Sequence, residues 1–181
     1  MGKGMLPSSW PSTSPHRSRF EYEKPMPPPP KAGTRVSVSL ATREDAAAMV
    51  ATMNAAQAEQ IISLSEMSLS ECVEHSLLRS QSAWSGRVDG ELVAMWGVSE
   101  IADGVGYPWM FSTESLRGVP KLTLGIAHRV IEEMLALYPR LYGSVGKQFQ
   151  ASVRFARHLG FTLAESSHDP AFYTIDLVRR P

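Results

Sequence analysis

The stretch that most constrains the fold is residues 107–138, which predict an extended segment, a polar turn and a long amphipathic helix in succession. Over residues 120–138 the apolar side chains recur at helical spacing and form a stripe wide enough to pack on a sheet. Pro120 suits the first turn of this helix, and Pro139 ends it. Because such a stripe must be buried against another layer, the segment predicts an α/β domain.

The flanking segments predict the elements of that domain. Residues 35–41 alternate like a half-buried strand, and a helix follows. A second helix begins at Ser68, where Ser68 and Glu71 form a capping box. Two strands then flank Asp89-Gly90, a dipeptide that type I′ turns favour because both central residues need positive φ. The resulting order is strand, two helices, three strands, helix, strand, helix and two strands.

The same pattern predicts which residues are buried. Pro108 indicates an edge or a bulge in its strand, since proline cannot donate to a sheet ladder. Gly125, inside the long helix, suggests close packing on the sheet. Cys72 is expected to be a small core residue. The predicted core consists of Val36, Val38, Leu92, Ala94, Trp96, Trp109 and Phe111, packed against Ile126, Val130, Ile131 and Met134.

Composition narrows the classes of function. The formal net charge of the 181 residues is zero, which disfavours binding to nucleic acid or to an anionic membrane. We find no segment with the length and apolarity of a membrane helix, and no secretory signal. A single cysteine excludes an internal disulfide framework, and the histidines lack the spacing of metal ligands. The sequence therefore predicts a soluble protein without a metal site.

Residues 1–33 form a basic arm that holds most of the 13 prolines. Proline fixes φ and lacks an N–H donor, so the arm is expected to be extended rather than helical. Such an arm is either a solvated tail or a segment that binds a partner. The predicted partner contacts are Trp10, Arg17, Arg19, Phe20, Tyr22, Pro27, Pro28, Pro29 and Pro30.

The element order and the closing "ASVRFARHLGF" resemble the GNAT acetyltransferase superfamily. Together with "YPWMFSTESLRGVPKL" and "YPRLYGSV", they are most similar to the GNAT-like internal virion proteins of short-tailed bacteriophages. The resemblance covers roughly residues 34–178. It omits the arm over residues 1–33, and it implies a GNAT-like domain over residues 34–181. That domain would be a mixed, mostly antiparallel twisted sheet flanked by helices.

In the superfamily, a glycine-rich turn before the long helix holds the pyrophosphate of coenzyme A. The corresponding turn here keeps Arg117 and Gly118, but Pro120 offers no N–H and the paired glycines are missing. The resemblance also places Phe149 where the family has an asparagine, and Ala156 where it has a proton-donating tyrosine. Neither side chain can donate a proton, so the cofactor site is predicted to be degenerate.

Two further groups of residues have alternative explanations. Glu100 is the best candidate for a catalytic base, although a solvated carboxylate at a strand end explains it equally well. Arg154, Arg157 and His158 form a basic helix face, which could meet an acidic partner or coenzyme A phosphates, or could simply be solvated.

These observations predict a non-catalytic, cofactor-free structural protein of a bacteriophage virion, assembled in the cytoplasm of the bacterial host. Its partners would be other virion proteins of the internal core, portal junction or tail, and it would be present in multiple copies on a symmetric assembly. The alternative is an acetyl-CoA-dependent N-acetyltransferase of phage origin. A third possibility is an adaptor or inhibitor of host proteins.

Overall fold

The computed structural model describes residues 35–118 and 120–179, apart from the side chains of residues 63, 64, 117, 118 and 120–122. The arm and its predicted contacts lie outside the described residues. In the described part, helices flank a seven-stranded sheet of order β1-β2-β3-β4-β5-β7-β6. All neighbouring strands are antiparallel except β4 and β5, which are parallel. The predicted mixed, mostly antiparallel sheet flanked by helices is thus confirmed.

The strands and helices follow the predicted order with one addition. The strands are β1 (Val36–Leu40), β2 (Ser80–Val88), β3 (Glu91–Ala102), β4 (Val105–Ser112), β5 (Arg140–Gly146), β6 (Thr162–Glu165) and β7 (Phe172–Val178). The helices are α1 (Arg43–Thr52), α2 (Ala55–Leu64), α3 (Leu69–Arg79), α4 (Pro120–Leu137) and α5 (Gln150–His158). None of the helices in residues 35–118 and 120–179 is both long and apolar enough to cross a membrane.

Local side-chain chemistry fixes several boundaries as predicted. Ser68 caps α3 in a reciprocal capping box with Glu71. Asp89 and Gly90 both have positive φ, 51° and 86°, as the tight turn between β2 and β3 requires. Cys72 is buried on α3.

Helix α2 is an element that the sequence pattern did not predict. It begins only two residues after α1, where the Asn54 side chain accepts hydrogen bonds from the N–H groups of Ala56 and Gln57 at 3.1 and 3.3 Å. Its first six residues, "AAQAEQ", include no large apolar residue, so no apolar stripe marks a separate helix.

The core has two layers, one on each face of the sheet. The layer under α4 and α5 contains Ala94, Trp96, Val98, Ile131, Met134, Tyr138, Leu141, Ala156, Leu159 and Phe161. The layer under α1, α2 and α3 contains Ala46, Met49, Met53, Ile61, Cys72, Val73, Met95 and Phe111. Successive strand side chains point to opposite faces, which is how one sheet supplies both layers.

Three parts of the predicted core are wrong. Trp109 and Phe111 pack on the α1 to α3 side because the alternation of β4 turns them away from α4. Leu92 packs there because a register shift at Gly86 and Arg87 breaks its alternation with Ala94 and Trp96, which face α4. Val38 is 47% exposed on the outermost strand, where no described helix covers it. Gly125 is exposed, and a Cβ there would meet nothing within 4 Å, so close packing is not its role.

A buried carboxylate joins α1 to the sheet. Asp45, only 5% exposed, completes the capping box of Thr42 and accepts hydrogen bonds from the Ser85 hydroxyl at 2.8 Å and from the Arg87 guanidinium. Burial alone would raise the pKa of Asp45, but the hydrogen bonds from Ser85, the Thr42 N–H and Arg87 outweigh it and lower the pKa below 3.8. The ionised form is therefore the one that stabilises the fold.

We expect Asp45→Asn to lower the free energy of unfolding at pH 7 by about 2–4 kcal/mol, because it leaves Arg87 without its buried partner. Since the folded pKa lies below the unfolded one, the stability from Asp45 is present above about pH 4 and is lost as the pH falls through the folded value. The difference from the unmutated protein should therefore shrink on acidification, as urea titrations between pH 7 and pH 3 would measure.

The matched control is Asp176→Asn, which breaks a partly exposed ion pair with Arg140 and should change stability by about 1 kcal/mol or less. Equal effects of the two substitutions would contradict a special role for Asp45.

Candidate functional site

The candidate site lies where β4 and β5 part. The two strands pair only at Val105 with Arg140 and at Gly106 with Leu141. Beyond these residues β5 has no pairing with β4, while its other edge pairs with β7 along the whole of its length. The sheet is therefore split between β4 and β5, and the β4 edge beyond Gly106 faces a gap.

A cavity opens into this gap from each face of the sheet. The cavity on the α4 side has a volume of about 210 Å³ and an almost wholly apolar lining that includes Trp96, Ile126 and Phe155. The cavity on the α1 to α3 side is about 250 Å³ and includes polar groups of Gln57 and His75. Both are lined by Pro108, Trp109, Met110, Ser144, Val145 and Ser152, so they meet at the gap.

Alternation of the backbone decides which groups of β4 face the gap. The N–H of Thr113, just after β4, donates to the carbonyl of Val93 in β3 at 3.0 Å. In an antiparallel pair, alternate residues turn their hydrogen-bonding groups to opposite sides, so Pro108, Met110 and Ser112 turn theirs toward the gap. Pro108 supplies only a carbonyl, which explains how β4 tolerates a proline at this open edge.

Residues from the start of α2 close part of this edge. The Gln57 amide nitrogen donates to the carbonyl of Met110, and its amide oxygen accepts from the N–H of Ser112, both at 2.8 Å. The N–H of Asn54 donates to the Ser112 carbonyl, also at 2.8 Å. The side-chain amide of Gln57 thus pairs with β4 much as a peptide group of a neighbouring strand would.

Tyr107 lies beside β5 on the α1 to α3 side of the split. A Cβ on Gly143 of β5 would lie 3.4 Å from the Tyr107 ring, so the absence of a side chain there makes room for the ring. Burial raises the pKa of Tyr107, and a side-chain hydrogen bond with Ser144 acts in the opposite direction with a smaller effect. The hydroxyl is therefore protonated at neutral pH and can donate a hydrogen bond in the gap.

Glu100 lies one strand away from the gap, opposite Gly106 in the ladder of β3 and β4. It is exposed and lines the cavity on the α1 to α3 side. Burial, and then the negative charge of Glu100, raise the pKa of Tyr138, whose hydroxyl donates to the Gln81 side chain. Glu100 is thus close enough to the cavity to act on a ligand, but its role as a base stays a prediction.

The predicted cofactor residues, Arg117 and Gly118, end a short 3₁₀ helix (Glu114–Gly118) that follows β4 and precedes α4. The placement of the Arg117 side chain and the burial of Gly118 lie outside what the structure describes, so the predicted contact with coenzyme A stays a prediction. Pro120 is the first residue of α4, which places its missing N–H at the helix N-terminus, as the sequence indicated.

Helix α5 packs an apolar face against the core. Phe149 at its N-cap and Val153 are each 2% exposed, while Ala156 and Leu159 are 7% and 9% exposed. The opposite face of the helix carries the exposed side chains of Arg154, Arg157 and His158. The predicted apolar face is confirmed. At Phe149 and Ala156, where the family resemblance places an asparagine and a proton-donating tyrosine, the side chains are buried and apolar.

Sequence reasoning missed the residues that close and line the gap: Asn54, Gln57, Tyr107 and Ser144. Pro108, which indicated an edge or a bulge, was the available signal: β4 lies inside the sheet, but its side toward β5 is unpaired beyond Gly106. Nothing in the local pattern connects Gln57 with a strand more than 50 residues away.

Comparison with solved structures identifies the fold. An acetyltransferase of the GNAT family from Streptococcus pneumoniae is 14% identical, with a TM-score of 0.53 over 81% of this chain and 100% of that one. The GNAT domain of S. lividans PAT is 13% identical, with a TM-score of 0.60 over 78% and 89%. RimL, a ribosomal L7/L12 alpha-N-protein acetyltransferase solved with coenzyme A, is 14% identical, with a TM-score of 0.58 over 83% and 97%.

No family model matches the sequence, and no curated protein sequence matches it significantly. At identities this low the structural likeness establishes the fold alone. The described domain therefore has the fold of the GNAT acetyltransferases, as its sequence resemblance implied.

We expect Gln57→Ala to lower the free energy of unfolding by about 1–3 kcal/mol, because it removes the partners of the Met110 carbonyl and the Ser112 N–H. Hydrogen exchange at the Ser112 amide, followed by NMR, should become faster in the variant. Gln57→Glu should keep much of the Ser112 protection, since a carboxylate accepts but does not donate a hydrogen bond.

Glu59→Ala, at an exposed position of the same helix, is the control and should leave the Ser112 amide unchanged. If Ser112 exchanges at the same rate in Gln57→Ala as in the unmutated protein, Gln57 does not close the β4 edge.

Proposed function

We propose that this GNAT-like domain is non-catalytic and serves as a structural component of a bacteriophage virion. The observation that supports the non-catalytic part of this proposal is that side chains and backbone of the same chain occupy the edge of β4. The pantetheine arm of coenzyme A contains two amides, and the open edge of a strand is a natural partner for amides. Here Gln57 and Asn54 hold the Met110 carbonyl and both backbone groups of Ser112. Among the residues that face the gap, the Pro108 carbonyl and the Met110 N–H are what remains for a ligand.

The surroundings of α5 also support a loss of acetyl transfer. Breakdown of a thioester by an amine needs a group that takes the amine proton and one that protonates the departing thiolate. The side chains of Phe149 and Ala156 are buried, apolar and unable to exchange protons. Tyr107, the hydroxyl at the gap, has a raised pKa and is a poor base at neutral pH, so it can donate a proton there but does not take one from the amine.

The virion role is supported by the sequence resemblance to GNAT-like internal proteins of short-tailed phages. In this proposal the arm attaches the domain to neighbouring virion proteins. Trp10, Phe20 and Tyr22 would fill pockets on the neighbour, because aromatic anchors dominate such interfaces. Arg17 and Arg19 would meet acidic groups, and the copies would occupy equivalent positions on a symmetric assembly in the virion.

A second candidate function is acetyl-CoA-dependent N-acetyl transfer. The observation that favours it is the split between β4 and β5, into which cavities open from both faces of the sheet. In that case Arg117 and Gly118 would hold the pyrophosphate, and Glu100, which lines the cavity on the α1 to α3 side, would act as the base.

Calorimetric titration with acetyl-CoA separates the two functions. We expect no binding heat up to about 1 mM ligand, a concentration at which a binding free energy weaker than about −4 kcal/mol goes undetected. RimL, solved with coenzyme A, is the positive control. Binding in the micromolar range would overturn the non-catalytic assignment, and Glu100→Gln should then abolish acetyl transfer while leaving that binding intact.

Mass spectrometry of purified particles tests the virion role. We expect the protein at a fixed stoichiometry, with crosslinks from the arm residues Lys3, Lys24 and Lys31 to a neighbouring protein. Replacing Trp10, Phe20 and Tyr22 by serine should abolish incorporation, because the aromatic anchors are lost. The parallel change of Arg154 and Arg157 to serine is the control, and loss of incorporation in this control alone would assign attachment to α5 instead of the arm.

A further inference from the structure

Two histidines meet on the surface where α4 and α5 pack together. His128 lies near the middle of α4, and His158 is the last residue of α5. Their ring centroids are 5.5 Å apart, and the rings are tilted by 55° relative to each other. Because the two residues are distant along the chain and belong to different helices, no local spacing pattern shows this pair.

The packing of the two helices holds the pair together. Ala127 and Leu159, the chain neighbours of His128 and His158, belong to the core layer under α4 and α5. Both histidines are exposed. The two rings therefore lie at the solvent edge of an apolar contact, and their backbones cannot separate without opening that contact.

The ring nitrogens of this pair are available to a ligand. Among residues 35–118 and 120–179, no hydrogen bond or ion pair involves the imidazole of His128 or of His158. A neutral imidazole has one nitrogen with a free lone pair, which can bind a proton, a hydrogen-bond donor or a metal ion. Rotation of the exposed side chains can turn one nitrogen of each ring toward a common point.

The separation of the rings suits a shared metal ion. Zn²⁺ binds an imidazole nitrogen at about 2.0–2.1 Å, so two imidazoles on one tetrahedral Zn²⁺ have ring centroids about 5–5.5 Å apart. The observed separation of 5.5 Å matches this arrangement. Imidazole also suits Ni²⁺ and Cu²⁺, whereas Mg²⁺ prefers oxygen ligands.

The charges beside the pair offset one another. Side chains four residues apart lie on the same face of a helix. Glu132 therefore lies one turn from His128 on α4, and Arg154 lies one turn from His158 on α5, and both are exposed. The arginine next to each histidine in the chain is turned by about 100° around its helix. A divalent cation between the rings thus meets charges of both signs in the adjacent turns.

We propose that His128 and His158 together bind one divalent transition-metal ion, of the class of Zn²⁺, Ni²⁺ and Cu²⁺, and that this ion links α5 to α4. Among the described residues, no group of three histidine, cysteine or carboxylate ligands is present, so water completes the coordination. Ala127 and Leu159 also line the cavity under α4, so the ion would join two walls of that cavity. This site requires neither the loss of acetyl transfer nor a virion role.

The first test is calorimetric titration of the full-length protein with ZnCl₂. We expect one Zn²⁺ per chain, and no binding of Mg²⁺ under the same conditions. His128→Ala and His158→Ala should each weaken Zn²⁺ binding at least about tenfold, because each leaves a single imidazole. His75→Ala, which removes an exposed histidine of α3, is the matched control and should leave the affinity unchanged.

The second test measures the link between the helices. At a free Zn²⁺ concentration of about ten times Kd, Tm should rise by about 3–6 °C. Hydrogen exchange should slow at the Leu159 amide, which donates to the Phe155 carbonyl at 3.0 Å at the end of α5. His128→Ala should remove this slowing although it changes only α4, whereas an ion held by α5 alone would still slow the exchange.

Three results would overturn the proposal. The first is the absence of Zn²⁺ binding up to about 1 mM. The second is binding that both histidine variants retain at full affinity, which would indicate an adventitious ion only. The third is a doubling of the mass in sedimentation when Zn²⁺ is added, lost in the same variants, which would show that the ion joins two chains instead of two helices of one chain.

Discussion

The parting of β4 from β5 is the constraint on which the rest of the structure depends. Because β4 pairs with β5 only at Val105 and Gly106, the hydrogen-bonding groups of β4 beyond Gly106 that face β5 have no strand partner. Buried backbone groups must find partners, and this chain provides them from the junction of α1 and α2. Asn54 caps α2 through its side chain and binds Ser112 through its own N–H, so a single residue sets both the helix start and the strand edge.

Because Gln57 of the same chain closes the β4 edge, fewer backbone groups in the gap are open to a ligand. A GNAT-like sheet offers a cleft that is open on both faces, and the groups that remain available in that cleft decide what it can bind. Gln57 occupies the edge with a neutral amide, and the walls toward α4 are apolar. This occupied edge is the observation on which the proposed non-catalytic role rests.

The fold was largely predictable from the sequence, whereas the candidate site was not. Thr42, Ser68 and the Asp89-Gly90 turn act on groups within three residues of themselves, so their effects are visible in a short window. Pro108 indicated an edge or a bulge, and it lies on the part of β4 that faces the gap. The prediction failed for Val38, because alternation shows that a strand has an apolar face but not whether another element covers it.

The sequence by itself determined the order of most elements, the caps and turns that bound them, and the apolar face of α5 that contains Phe149 and Ala156. Only the tertiary structure decided on which face of the sheet each strand residue packs, and which residue pairs with the open edge of β4. The physical reason is distance along the chain. Gln57 is 53 residues from Met110 and 55 from Ser112, and no local preference of a glutamine on a helix encodes the strand edge that it meets after folding.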